Sequence, residues 1–128
     1  MSFNNTNKLG SNGESLAKKY LQDLNYEILE LNYCNCSGRR IGEIDIVAKK
    51  DDMIIFVEVK SKVLKNYSQS PAEESINWLK LRKLNKIANF YISKNNLWNK
   101  SFRFDAVTVY FREIGGEPII KHIESIFL

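Results

Sequence analysis

Two apolar runs that flank a short charged segment constrain the fold of this chain more than any other feature. The runs are Ile41–Ala48 and Ile54–Lys60, and the segment between them is Lys49-Lys50-Asp51-Asp52. Two apolar runs joined by a charged turn are most simply the two strands of an antiparallel hairpin. The sequence therefore predicts a hairpin at the centre of the fold.

Charged side chains stand in this hairpin at positions that call for an explanation. A strand repeats its side-chain direction every second residue, so Glu58 and Lys60 share one face. A charge on a largely buried strand is costly unless it is paired, hydrated or bound to a metal. A second carboxylate, Asp45, lies thirteen residues upstream on the other strand.

The register of the hairpin decides whether the two carboxylates meet. If Ala48 pairs with Ile55 or with Met53, Asp45 lies opposite or diagonal to Glu58, on the same face. A slip by one residue would place them on opposite faces of the sheet. The hairpin therefore makes a geometric prediction that a structure can test.

Two carboxylates and a lysine on adjoining strands suit metal-assisted hydrolysis of a phosphodiester. Magnesium usually keeps several waters and binds through one or two carboxylates plus substrate phosphate, and it lowers the pKa of a bound water. Lys60 would orient that water or oppose the negative charge that grows on phosphorus. The alternative is an exposed edge-strand ion pair, since Glu-x-Lys often occurs by chance.

The remaining pattern predicts a single α/β domain at 11–128 after a flexible segment at 1–10. Helical spacing of apolar residues predicts helices at about 12–24 and 70–93. Alternation predicts further strands at 27–33 and 102–111 and a short last strand at 118–123. This order of elements indicates a sheet flanked by helices.

Other charged residues are weaker candidates. Glu14 lies at the margin of the apolar stripe of the first helix, but Ser11-Asn12-Gly13-Glu14 also fits a capping box. Lys80 falls at the edge of the stripe of the second helix. Exposed basic residues usually serve solubility, but several could steer a nucleic-acid backbone: Arg39, Arg40, Lys62, Arg82 and Lys83. The sequence predicts a structural ion pair between Arg103 and Asp105, and it predicts that His122 lies at the surface.

Composition excludes several classes of function. A net charge of +4 and a pI near 9.0 permit a polyanionic partner without requiring one. The single histidine leaves little for Ser-His-Asp or histidine-rich zinc chemistry, and no Walker-type phosphate loop is present. Without a signal peptide, a membrane-length apolar run or a good disulfide pair, the chain is expected in the cytoplasm and off the membrane.

The charged positions together resemble a family. Asp45 followed by Glu58-Val59-Lys60, after a helix that carries Glu14, resembles the PD-(D/E)XK nuclease superfamily, whose core is a restriction-endonuclease-like mixed sheet flanked by helices. The match is more specific to the YraN-like family of uncharacterised bacterial proteins, related to Holliday junction resolvases. It extends from Gly13 to Phe127 and rests on Gly13-Glu14, Asn25-Tyr26, Gly42-Glu43-Ile44-Asp45, Phe56-Val57-Glu58-Val59-Lys60, Lys80 and Arg103-Phe104-Asp105.

The resemblance implies a role for each matching residue. Asp45, Glu58 and the Val59 carbonyl would bind Mg²⁺ or Mn²⁺, Lys60 would be the catalytic lysine, and Glu14 an auxiliary acid. Lys62 stands where the family pattern often has arginine, which keeps the charge but loses the bidentate fork. The implied activity is cleavage of DNA, with branched DNA favouring a homodimer that carries two sites.

Two other classes of function stay open from the sequence. A nucleic-acid-binding accessory protein with vestigial acids would bind in a salt-sensitive way without metal-dependent turnover. A protein-interaction module would use the same sheet, with Trp78 and Trp98 as contact anchors. Convergence of Asp45, Glu58 and Lys60 in one concave site would favour the enzyme.

Overall fold

The computed structural model describes residues 6–35, 38–65 and 78–126, with the backbone alone at 6–11 and at Trp78. The elements within these ranges, in chain order, are α1 (Thr6–Asp23), β1 (Glu27–Cys34), β2 (Glu43–Lys50), β3 (Met53–Leu64), α2 (Trp78–Lys94), β4 (Ser101–Arg112) and β5 (Ile119–Ile123). The helices and strands that the sequence predicts are therefore present in the predicted order.

The five strands form one mixed sheet in the order β1-β2-β3-β4-β5. β3 and β4 are parallel, and every other neighbouring pair is antiparallel. A parallel pair needs a crossover connection, and α2 lies in that connection between β3 and β4. The fold is therefore α/β, with a mixed sheet flanked by helices, an arrangement compatible with the restriction-endonuclease-like fold.

The two helices pack against opposite faces of the sheet. Along β3, Ile55 and Val57 pack in the core with α1, whereas Ile54 and Phe56 pack in the core with α2. This alternation follows from the two-residue period of a strand, and it buries β3 on both faces. The charged residues further along β3 therefore lie on a strand that is otherwise buried inside the protein.

The β2–β3 hairpin has the register that the sequence predicts, with Ala48 opposite Ile55 and Lys50 opposite Met53. Its loop is the two residues Asp51 and Asp52, with φ of 51° and 65°. Two-residue loops with both φ positive match the twist of a hairpin, and aspartate tolerates this conformation better than most residues. The turn is thus shorter than the predicted four residues.

Two elements, α1 and β2, begin two or more residues away from the starts that the sequence predicts. α1 begins at Thr6, so residues 6–10, expected to be flexible, are helical, because helix propagation from a buried stripe continues into polar residues. β2 begins at Glu43 rather than at Ile41. The predicted start of the second helix at Ser70 lies outside the described residues.

A glycine lets α1 approach the sheet closely. A Cβ at Gly13 would overlap Ser61 Oγ and lie 3.2 Å from Ser61 Cβ. Gly13 is buried in this contact. The contact sets α1 against the far half of β3, next to the charged residues of that strand.

Candidate active site

The strands β2 and β3 part beside the two carboxylates that the sequence singles out. Their pairing reaches Ile46 and Val57, whereas β2 continues along β1 to Glu43 and β3 continues along β4 to Leu64. Asp45 and Glu58 are the next residues of the two strands. Asp45 Oδ2 accepts a hydrogen bond from the Val59 N–H at 2.8 Å, so a side chain holds the strands together there.

A pocket of about 310 Å³ opens at this point. Its lining combines acids from the sheet with lysines from α2, namely Gly42, Glu43, Asp45, Glu58, Lys80, Lys83 and Leu84. A Cβ at Gly42 would lie 3.3 Å from the Lys83 carbonyl oxygen, so this glycine lets the start of β2 approach α2. The structure thus brings together two of the predicted catalytic acids and two of the predicted nucleic-acid-binding lysines.

Glu58 is the most buried acid of the pocket, with a relative exposure of 8%. Its Oε1 forms an ion pair with Lys80 Nζ. Lys80 is in the first turn of α2, at the edge of the apolar stripe that packs on the sheet. The ion pair therefore joins the second helix to the charged end of β3.

The carboxyl of Asp45 is strongly perturbed, with its pKa raised from 3.8 to about 6. Burial is the largest cause, and the hydrogen bond from the Val59 N–H opposes it. The negative charges of Glu14, Glu58 and Glu43 raise the pKa further. Several carboxylates that repel one another inside a pocket favour binding of a cation.

Glu14 belongs to this acidic group and not to a helix cap. Because α1 begins at Thr6, Ser11 lies inside the helix, and the capping-box interpretation is wrong. The Glu14 side chain hydrogen-bonds to Asn32, and burial and the charge of Glu43 raise its pKa. The first helix thus contributes an acid to the region where β2 and β3 part.

Lys60 shares a face of β3 with Glu58 by strand period and is half-buried, but it is not among the residues that line the pocket. The other predicted basic residues are exposed: Arg39, Arg40, Lys62, Arg82 and Lys83. Arg40 forms an ion pair with Glu43 at 2.5 Å. Trp98 is 65% exposed, and the side chain of Trp78 lies outside the described residues.

The donor set suits a hard divalent cation. Within the described ranges, no group of three or more His, Cys, Asp or Glu residues is arranged to hold a metal ion. Asp45 and Glu58 line one pocket, and the ammonium of Lys80 already places a positive charge on Glu58. Two carboxylates with additional oxygen ligands are what magnesium commonly uses, so these residues fit the ion that the resemblance implies.

A second polar cluster, on the α1 face, was only partly predicted. Arg103 and Asp105 form the expected ion pair through Nε–Oδ1 at 2.9 Å and Nη2–Oδ2 at 3.1 Å. His122, expected at the surface, has a side chain only 8% exposed, with Nε2 2.8 Å from Asp105 Oδ2 and Nδ1 3.1 Å from the Tyr20 hydroxyl. The surface prediction is wrong because β5 pairs with β4, and Tyr20 of α1 lies against the imidazole ring.

The fold and the pocket define an α/β protein with an acidic site at the point where two central strands part. Residues 13–109 match the family described as "Uncharacterised protein family UPF0102". The chain therefore belongs to this family, which confirms the YraN-like resemblance.

UPF0102 proteins from several bacteria are similar over nearly the whole chain. The protein from Clostridium kluyveri is 41% identical over 119 residues, 93% of each chain. Those from Clostridioides difficile and Geobacter metallireducens are 42% and 39% identical, covering 96% and 99% of this chain and 99% and 97% of their own.

Neither helix in the described part of the chain is both long and apolar enough to cross a membrane.

Proposed function

We propose that this protein is a metal-dependent endonuclease that hydrolyses phosphodiester bonds of DNA. One observation carries the proposal: Asp45 and Glu58 line a single pocket together with Lys80 and Lys83. Acids that attract a cation thus lie beside amines that attract phosphate. The resemblance extends the proposal to branched DNA and to a homodimer with two sites.

Asp45, Glu58 and the Val59 carbonyl are the proposed ligands of Mg²⁺ or Mn²⁺. The ion, when bound, polarises a phosphoryl oxygen and lowers the pKa of a bound water. Glu14 adds negative charge near Asp45, which favours cation binding. Lys60, two residues beyond Glu58 on the same face of β3, is the proposed group that orients the attacking water.

The basic residues around the pocket are proposed to hold the phosphate backbone. Lys80 and Lys83 line the pocket itself. Arg39, Arg40, Lys62 and Arg82 are exposed on the segments that precede β2, end β3 and form α2. Contacts between such residues and phosphates release counterions, so DNA affinity should fall steeply with salt concentration.

Cleavage of branched and linear DNA with magnesium tests the proposal. We expect Asp45→Asn, Glu58→Gln and Lys60→Met each to lower the cleavage rate by about 100-fold or more, as is typical when a group that stabilises charge or transfers a proton is removed. Glu117→Gln, which changes an exposed carboxylate away from the pocket, is the matched control. Equal rates in all five proteins, or no cleavage by any, would refute the proposal.

The position of Lys60 favours a second candidate, a nucleic-acid-binding accessory protein. The residues that line the pocket include Lys80 and Lys83 but not Lys60, so the pocket offers two amines to a phosphate without the predicted catalytic lysine. This candidate predicts DNA binding that weakens between 50 and 200 mM salt and is unchanged by Lys60→Met. Metal-dependent turnover by the wild-type protein would exclude it.

A further inference from the structure

The ion pair between Glu58 and Lys80 joins two residues of very different exposure. The Glu58 side chain is 10% exposed and that of Lys80 is 56% exposed. A carboxylate so far from water needs a positive partner. In this structure that partner is the ammonium of Lys80, which reaches the carboxylate from the first turn of α2.

We propose that Lys80 and a divalent cation are alternative partners of Glu58. The cation displaces the ammonium when it binds, and the displaced ammonium then becomes available to a phosphate group of the nucleic acid. This inference rests on the proposed function, because it requires a divalent cation at Asp45 and Glu58. It assigns Lys80 two successive positions in the same pocket.

The structure gives three reasons for such an exchange. Both cations seek the same buried carboxylate, in a pocket of about 310 Å³. Lysine is a compact charge on a flexible stem, and the half-exposed stem of Lys80 can turn outwards without disturbing the core. Two cations close together repel one another, so occupancy of Glu58 by one opposes occupancy by the other.

If Lys80 and the cation exchange at Glu58, removal of Lys80 should strengthen metal binding more than removal of another nearby positive charge does. Removing any nearby positive charge strengthens cation binding somewhat. Lys83 lines the same pocket three residues further along α2, and Lys83→Met removes an equal charge. The excess effect of Lys80→Met over Lys83→Met therefore measures the competition for Glu58.

The test is a Mn²⁺ titration of the full-length wild-type, Lys80→Met and Lys83→Met proteins, followed by electron paramagnetic resonance of free Mn²⁺. We expect Lys80→Met to bind Mn²⁺ about three- to fivefold more tightly than wild type, the range for a partly exposed ion pair. Lys83→Met should increase the Mn²⁺ affinity by less than half of the factor seen for Lys80→Met. A second readout is thermal unfolding, in which Lys80→Met should melt lower than wild type without metal and rise more on addition of Mg²⁺.

The outcomes separate this inference from the proposed function. Equal Mn²⁺ affinity in the two lysine variants would overturn the exchange and leave the nuclease proposal to the cleavage assay. Saturable binding that Lys80→Met strengthens, without DNA cleavage by the wild-type protein, would support the exchange and refute the nuclease. No saturable binding in any of the three proteins would overturn both.

Discussion

Asp105 is the charge whose removal should most damage the fold. It is fully buried and accepts hydrogen bonds from Arg103 Nε and Nη2 and from the Ser125 N–H, at 2.9, 3.1 and 3.1 Å. His122 Nε2 lies 2.8 Å from its second oxygen. Asp105→Asn removes the negative charge and leaves the guanidinium of Arg103, with 23% of its side chain exposed, without its main counter-charge.

Removal of one partner of a buried ion pair typically costs about 3–5 kcal/mol. Arg103 keeps three weaker partners, the Tyr26 hydroxyl at 2.8 Å, Glu124 at 3.4 Å and the Met53 sulfur at 4.0 Å. We therefore expect Asp105→Asn to lower the free energy of unfolding by about 2–3 kcal/mol, a large part of the roughly 5–15 kcal/mol that stabilises a typical domain.

Urea unfolding measures this loss directly. A decrease of that size should lower the urea midpoint by about 1 M or more. Asp52→Asn is the matched control, because the Asp52 side chain is 70% exposed and an ion pair of an exposed carboxylate, here with Lys100, contributes little to stability. Its midpoint should lie close to that of wild type. An Asp105→Asn midpoint equal to the control would refute the argument that this cluster stabilises the fold.

The contribution of Asp105 should also depend on pH. Burial alone would raise the pKa of Asp105, but the hydrogen bonds from His122, Arg103 and the Ser125 N–H outweigh it and lower the pKa. A group whose pKa is lower in the folded state contributes fully above its unfolded pKa, about 3.9 for aspartate. The difference between wild type and Asp105→Asn should therefore be constant at neutral pH and shrink as the pH falls below about 4.

Two further predictions concern the pocket and the packing of α1. Because the pKa of Asp45 is raised to about 6, its negative charge opposes folding at pH 7. In EDTA at this pH, Asp45→Asn should raise the free energy of unfolding by about 1–2 kcal/mol, and below pH 4 it should not raise it. The melting temperature of this variant should not rise when Mg²⁺ is added. Gly13→Ala should destabilise the wild-type protein by about 1–2 kcal/mol through overlap with Ser61. In a Ser61→Ala background most of this loss should disappear, because the overlap is removed and alanine is a better helix former than glycine. Unfolding curves of the two single variants and the double variant measure the difference.

The hairpin and its register were predictable because both depend on neighbouring residues. The two-residue period and the charged turn are local signals, and they place Asp45 beside Glu58 without knowledge of the rest of the fold. The ion pair between Arg103 and Asp105 was predictable for the same reason, since both residues stand on one face of β4.

The partners that come from distant elements could not be predicted in this way. Contact between Lys80 and Glu58 depends on how the crossover places α2 on the sheet, which helical periodicity does not specify. Burial of His122 depends on the pairing of β5 with β4 and on the position of Tyr20 above it. The role of Glu14 was ambiguous because the polar residues before Ser11 carry no apolar stripe to show that α1 begins at Thr6.

The two halves of the pocket differ in how far along the chain their contacts reach. The acids lie on strands joined by a two-residue turn, whereas the lysines lie on α2, in the crossover connection between the parallel strands β3 and β4. Local hairpins form in microseconds, and parallel pairing across a crossover is slow. We infer that a folding chain assembles Asp45 and Glu58 before Lys80 reaches them, and pulse-labelled amide exchange with hairpin amides protected no earlier than α2 would contradict this order. Refolding should then pass through a stage in which the two carboxylates lie side by side and only cations from the solvent neutralise their charges.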